Sequence, residues 1–239
     1  MEPFRDLFGL DPAAVGETCV LIPFAPKSLL RGFGVERLNC GQLYSAAAGG
    51  LCTVILTRIG AVFAGDAVLH LADTPCKEIV FIGTCGLISP DFSRRIGSLV
   101  CPAAWYAKES FSELAVSDSH PGVRIFPDPE LRRSLLRAAG LEEEDGPAGV
   151  SFGSLRLQEE LLPAWRGRGV EVVDLESAAV CAAAARTGLR AVSLVAASDI
   201  VGVRPYYRPL SSAERKCLEG ALDRAAQSVC RYISEKPGG

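Results

Sequence analysis

Short apolar runs alternate with helical patterns along this chain, and that alternation constrains the fold more than any other feature. Residues 19–24, 50–59, 78–82, 96–102, 148–152, 170–173 and 191–197 read as strands, several of them apolar almost throughout. Helical stretches lie between them, at 61–71, 129–139, 176–187 and 212–233. The third is alanine-rich and stops at Gly188, a residue suited to a C-cap. The fourth opens on Ser211-Ser212-Ala213-Glu214, a capping-box pattern, and carries apolar residues at helical spacing. Strands apolar on both faces, separated by helices, predict an α/β sandwich with a largely buried sheet. No repeat or low-complexity segment divides the chain. The acidic run at 142–145, followed by Gly146-Pro147, reads as a surface loop, so residues 1–239 are expected to form a single domain.

Composition removes several classes of function. Hydrophobic residues are 49% of the chain and charged residues 22%, as in an ordinary globular protein. The net charge of −3 lacks the basic excess that phosphate neutralisation demands of a nucleic-acid binder. The pairs Arg94-Arg95 and Arg132-Arg133 are too short to change that and read as solvated surface. No apolar run reaches 18 residues, so no membrane span is expected, and residues 1–12 lack the layout of a secretory signal. The nine cysteines form no Cys-x-x-Cys pair, and several lie in apolar runs where a thiol acts as a small hydrophobe. Their odd number, without a signal, points to a reducing, cytoplasmic setting. The two histidines, His70 and His120, have no plausible ligand partners nearby, which argues against zinc.

In open α/β sheets ligands bind beyond the carboxyl ends of the strands. That rule selects Gly83-Thr84-Cys85-Gly86, Asp174-Leu175-Glu176-Ser177 and Ser198-Asp199. Taken singly, Glu176 reads as an acid complementing a helix dipole, and Asp199 as a turn residue. Three such places, each directly after an apolar strand, are harder to dismiss.

The run Val172-Val173-Asp174-Leu175-Glu176-Ser177-Ala178-Ala179, followed further on by Ala197-Ser198-Asp199, resembles the Met-Glu-x-x-Ala and Ser-Asp elements of hexameric purine nucleoside phosphorylases and methylthioadenosine nucleosidases. Residues 82–88 and 96–100 are similar to the glycine loop and following strand of uridine phosphorylases, and Thr57-Arg58-Ile59-Gly60 falls where the family has a Gly-x-Gly turn. The likeness runs in order over residues 18–233. It implies a three-layer α/β/α sandwich around a mixed sheet curled into a partial barrel. It also implies a small-molecule nucleoside substrate, no cofactor or metal, and a homo-oligomer, either a dimer or a trimer of dimers.

Cleavage of a nucleoside passes through an oxocarbenium-like sugar. An ionised glutamate can accept hydrogen bonds from both ribose hydroxyls and stabilise the developing cation, the role the resemblance gives Glu176. A carboxylic acid that protonates a purine N7 improves the leaving base, the role it gives Asp199, with Ser198 beside it at the base. Thr84 is expected at the phosphate or ribose, against a tight-turn reading. Phe152 is either a base-stacking aromatic or core.

The chain departs from the family at phosphate. The phosphorylases' Gly-Asp-Pro-x-Arg loop is here Pro23-Phe24-Ala25-Pro26-Lys27-Ser28, and a second arginine position is Phe81. The nucleosidases' general base is missing too, since no acidic residue lies between Thr18 and Val35. Lys27 and Arg58 are the cations placed to serve an anion, so phosphorolysis with inorganic phosphate is the expected reaction. Hydrolysis by the same fold and non-catalytic nucleoside binding are the alternatives. A dinucleotide fold lacks its Gly-x-Gly-x-x-Gly fingerprint. Arg31, Arg37 and His120 are candidates to act across a subunit interface.

Overall fold

The computed structural model describes residues 2–88, 94–115, 124–141, 146–165 and 168–236. In chain order the elements are α1 (Glu2–Phe8), β1 (Thr18–Ile22), α2 (Lys27–Gly32), β2 (Asn39–Cys40), β3 (Ser45–Ala48), β4 (Thr53–Leu56), α3 (Ala61–Leu71), β5 (Glu78–Leu87), β6 (Leu99–Val100), β7 (Ala104–Lys108), α4 (Ser110–Ala115), β8 (Arg124–Ile125), α5 (Pro129–Ala139), β9 (Ala148–Phe152), α6 (Leu155–Leu161), β10 (Val170–Asp174), α7 (Ser177–Thr187), β11 (Arg190–Ile200) and α8 (Ser212–Ser234). The strands join one mixed sheet in the order β2-β3-β4-β1-β5-β10-β9-β7-β8, with β11 on the other edge of β5 and β6 beyond it. No helix among the described residues is long and apolar enough to cross a membrane.

Period-two alternation makes the layers. Along β1, Cys19 and Leu21 enter one apolar cluster with α3 and α7, while Val20 and Ile22 enter another with α5 and α8. In β5, Ile79 and Phe81 oppose Val80 and Ile82 in the same way. Both faces of the central strands are therefore covered by helices, giving the mixed α/β sandwich. Local signals set the helix ends. Asp128 accepts from the Leu131 amide, Pro129 opens α5, and Gly140 at φ 65° closes it. Ser211 and Glu214 complete the capping box of α8.

The strand expected to end at Ile82 instead continues through the glycines to Leu87. β11 pairs with it from Arg190↔Glu78 to Ile200↔Leu87, and this ladder holds the glycine stretch extended. These glycines give close approach rather than a turn. A Cβ on Gly83 would lie 2.6 Å from the Phe81 ring. The fourth expected strand shrinks to the two residues of β6, and the second to β4.

The sheet branches at β5. Its edge opposite β11 is paired with parallel β1 as far as Phe81, and then with antiparallel β10 at Gly86 and Leu87. Between those registers lie residues 82–85, where β1 and β10 arrive from opposite directions and both end. A gap in the ladder lined by two strand carboxyl ends is a built-in place for a ligand.

At the opposite end of β5, Glu78 is fully buried. It accepts from Thr18 Oγ1 at 2.7 Å, Tyr232 Oη at 2.9 Å and Arg190 at 2.6 Å, and it pairs with Lys236. The two cations are partly exposed and can turn to water; the carboxylate cannot. The double substitution Arg190→Met with Lys236→Met is expected to destabilise by about 3–5 kcal/mol, because it strands a buried charge. Glu78→Gln is expected to cost clearly less. Urea unfolding of the variants measures both, and the reverse ranking would contradict this account.

Candidate active site

One cavity, of about 220 Å³, occupies the branch point, and its lining includes Thr84, Gly86, Asp174, Glu176, Ser198 and Asp199. The three strand-end motifs thus converge. Pro23 and Phe24 from the end of β1, Ile59, Leu155, Gln158 and Tyr206 also line it.

Glu176 stands between β10 and α7 at the N-cap position, but its side chain does not cap. The carboxylate instead accepts from the Gly60 amide at 2.7 Å and the Leu175 amide at 3.3 Å. Gly60 has φ 119°, a conformation side chains rarely adopt, and its amide donates to the Glu176 carboxyl. Arg58, two residues earlier, holds φ 70° without being glycine, so this turn carries backbone strain.

Asp174 takes over the capping. It accepts from the Ser177 amide at 3.1 Å, the Glu176 amide at 3.3 Å and Ser151 Oγ at 2.5 Å, while Ser151 Oγ accepts from the Ala178 amide at 2.9 Å. This network fixes the start of α7 and with it the backbone of Glu176. Burial pushes the Asp174 carboxyl above its ordinary range against those donors. Burial, with the Asp174 charge adding to it, pushes Glu176 up to about 8, although the Gly60 and Leu175 amides oppose the rise.

That shift has a testable sign. The folded protein holds a proton on Glu176 that the unfolded chain releases near 4.5. This contribution to stability is complete below about pH 4.5 and is lost as pH rises through about 8. In the ligand-free protein, Tm is expected to fall more steeply between pH 5 and 8 for wild type than for Glu176→Gln. Parallel Tm profiles would contradict the shift.

Asp199 reaches the cavity through a β-bulge. The β11–β5 register slips between Ala197↔Cys85 and Asp199↔Gly86, leaving Ser198 as the extra residue. A bulge re-aims the side chains after it. Ser198 Oγ donates to Asp199 Oδ1 at 2.8 Å. A Cβ on Gly86 would sit 2.9 Å from Asp199 Oδ2 and 3.1 Å from Val173 Cγ1, so glycine there makes room for the carboxyl. Asp199 is 6% exposed, and burial raises its pKa despite the Ser198 hydrogen bond.

The remaining sequence candidates fall elsewhere. Arg58 and Lys27 are exposed; they adjoin segments that line the cavity but do not line it themselves. Phe152 is 1% exposed and packs with Ile88, Val150, Leu162 and Trp165, so nothing in its position carries the stacking role. Strand alternation explains this, because its neighbour Ser151 takes the face toward Asp174. Arg31 and Arg37 are exposed, and His120 lies outside the described residues. Gln158 and Tyr206 were not foreseen. Neither follows a strand directly, and which face of α6 meets the cavity is set only by packing.

Comparison with known proteins bears on the family and the fold. The family model described as Phosphorylase superfamily matches residues 13–234. The chain belongs to the phosphorylase superfamily. Among curated relatives of this superfamily member, a guanosine phosphorylase of Halorubrum lacusprofundi is 28% identical over 142 residues, 58% of this chain and 57% of that protein. A DeoD-type purine nucleoside phosphorylase of Chromobacterium violaceum is 28% identical over 163 residues, 65% and 66% of the two chains. The chain therefore spans less than two thirds of either relative's length. Purine nucleoside phosphorylase from Toxoplasma gondii superposes with a TM-score of 0.74 at 17% identity, covering 92% of each chain. AMP nucleosidase from Bacteroides thetaiotaomicron gives 0.69 at 16%, covering 94% of each. At these identities the likeness is one of fold.

Proposed function

We propose that this chain cleaves the N-glycosidic bond of a purine nucleoside by phosphorolysis, giving free base and sugar 1-phosphate. The observation that carries the reading is the meeting of two buried carboxyls, Glu176 and Asp199, in one cavity at the sheet's branch point. In this reading Glu176 takes the two ribose hydroxyls and Asp199 gives its proton to N7. The bond from the anomeric carbon to N9 breaks, its electron pair stays with the base, and a phosphate oxygen bonds to the anomeric carbon. A protonated Asp199 suits that transfer, and the cause of its raised pKa is burial. The two hydroxyl donors offset the burial of the Glu176 carboxylate, so substrate binding expels the proton held there. The curated relatives named as purine or guanosine phosphorylases support the choice of a purine.

A specific observation favours hydrolysis as the second reading. No lysine, arginine or histidine is among the described residues that line the cavity. Phosphorolysis therefore needs Arg58 or Lys27 to swing inward, or a cation from a second copy in a homo-oligomer, with the Thr84 hydroxyl as a neutral partner to the anion. Identifying the sugar product with and without inorganic phosphate separates the readings. Phosphorolysis gives sugar 1-phosphate and stops when phosphate is removed. Free ribose released at an equal rate in both conditions would replace phosphate with water.

A further inference from the structure

Two buried carboxyls, Asp174 and Glu176, stand two residues apart at the end of β10, and they compete for the same helix terminus. The first amides of a helix have no partner within it and draw any carboxylate within reach. Glu176 holds the N-cap position of α7, from which a side-chain oxygen ordinarily accepts from the amide of the second or third helical residue. Its carboxyl turns instead to the Gly60 and Leu175 amides. The amides nearest to it on the helix are already taken. Asp174 holds the Ser177 amide at 3.1 Å, and Ser151 Oγ holds the Ala178 amide at 2.9 Å. Register sets this up, because Ser151 lies directly across the β10–β9 ladder from Asp174 and donates to its Oδ1 at 2.5 Å. The cap of α7 is thus supplied from the sheet rather than by the helix's own N-cap residue. Asp174 and Ser151 are 4% and 0% exposed, so water cannot stand in for either.

We infer that Asp174 is a positioning residue: with Ser151 it occupies the α7 amides, and this keeps the Glu176 carboxyl free to face the substrate's sugar. The competition is a matter of hydrogen bonding within the protein; only the identity of the sugar rests on the nucleoside reading above. Without Asp174, the amides it held face a carboxyl whose backbone already stands at the N-cap. Rotation of the Glu176 side chain then exchanges the Gly60 amide for those of α7. The helix keeps a cap and the fold survives. What is lost is the acceptor, because an oxygen held by helix amides has fewer lone pairs left for ribose hydroxyls and is turned from the cavity. Asp174→Asn keeps a carbonyl that can cap and removes the charge beside Glu176. It therefore separates capping from repulsion between the two carboxyls.

The test is the crystal structure of Asp174→Ala together with its kinetics. The Glu176 carboxyl is expected on the first amides of α7 and off the Gly60 amide; an unmoved Glu176 would overturn the inference. With ribonucleosides, kcat/KM is expected to fall about 10²-fold in Asp174→Ala, and adding Glu176→Ala should cost less than about threefold more. Asp174→Asn should stay within about tenfold of wild type, and a loss as large as that of Asp174→Ala would assign the effect to charge and overturn the capping role. On a 2′,3′-dideoxynucleoside, Asp174→Ala should cost less than about threefold. A residue that only holds the fold would lower both substrates alike, and its loss would add to that of Glu176→Ala; either result overturns the assignment. If Asp174→Ala does not fold, Ser151→Ala frees the Ala178 amide and takes its place, with the same movement of Glu176 and the same selectivity between substrates expected. If the wild-type protein turns over no nucleoside, the nucleoside reading fails separately. The position of Glu176 in the variant crystals then supports or overturns the role of Asp174 alone.

Discussion

Asp199→Asn is expected to lower kcat for purine nucleosides by about 10²–10⁴-fold while KM stays within about threefold. Asparagine keeps the shape of the side chain and can still donate a hydrogen bond from its amide. It cannot hand over a proton. The loss therefore isolates proton transfer from binding, and a matched control sharpens it. A nucleoside methylated at N7 already carries positive charge on its base and leaves without protonation. For that substrate the same substitution is expected to cost less than about tenfold. Equal losses on both substrates would mean that Asp199 holds the site together rather than supplying a proton. Near wild-type turnover of ordinary purine nucleosides would remove Asp199 from the mechanism.

Glu176→Ala is the second large effect, with kcat/KM expected to fall about 10²–10³-fold. Its carboxylate has two tasks in this account, to accept from both ribose hydroxyls and to stabilise the cationic sugar. Sugar analogues separate them. A 2′,3′-dideoxynucleoside is expected to be a poor substrate for wild type, and Glu176→Ala is expected to hurt it much less than it hurts the ribonucleoside. Such non-additivity is the mark of two groups in direct contact. Full additivity would place the ribose elsewhere. The elevated pKa of Glu176 adds a pH dependence, because the ionised form is the one that accepts from both hydroxyls. In wild type, the pH profile of kcat/KM should carry a limb that rises toward about 8, and Glu176→Gln should remove that limb.

Much of this fold was legible where local chemistry and long-range packing agree. Helices α3 and α5 and strand β9 occupy the residues expected from sequence, because caps or uninterrupted apolar character define them. Short edge strands such as β2 and β3 carry little apolar signal of their own and exist through pairing with neighbours. The glycines of β5 look like a turn in isolation. They are extended because β11 lies alongside them, and they are glycines because Phe81 and Asp199 press on them. Helix α2 begins at Lys27, inside a segment whose sequence suggested only a loop.

The site divides the same way. Glu176 and Asp199 could be found because each follows an apolar run in the sequence, although β11 carries on through Asp199 to Ile200. The capping role of Asp174 depends on Ser151, which is distant in sequence, and the bulge at Ser198 appears only as a register slip. Lys27 and Arg58 were candidates by nearness along the chain, but nearness does not fix where a long exposed side chain points. Gln158 carried no signal at all, since one glutamine in a charged helix looks like surface until the helix is packed.

The most direct test of the account is release of free base from inosine, adenosine and guanosine, with phosphate present. It compares wild type with the double variant Glu176→Gln, Asp199→Asn. The account predicts release from at least one nucleoside by the wild-type protein and none above background by the variant, with both proteins folded by circular dichroism. Equal release by the two proteins, or no release by wild type from any of the three, would contradict the claim that these two carboxyls cleave a purine nucleoside.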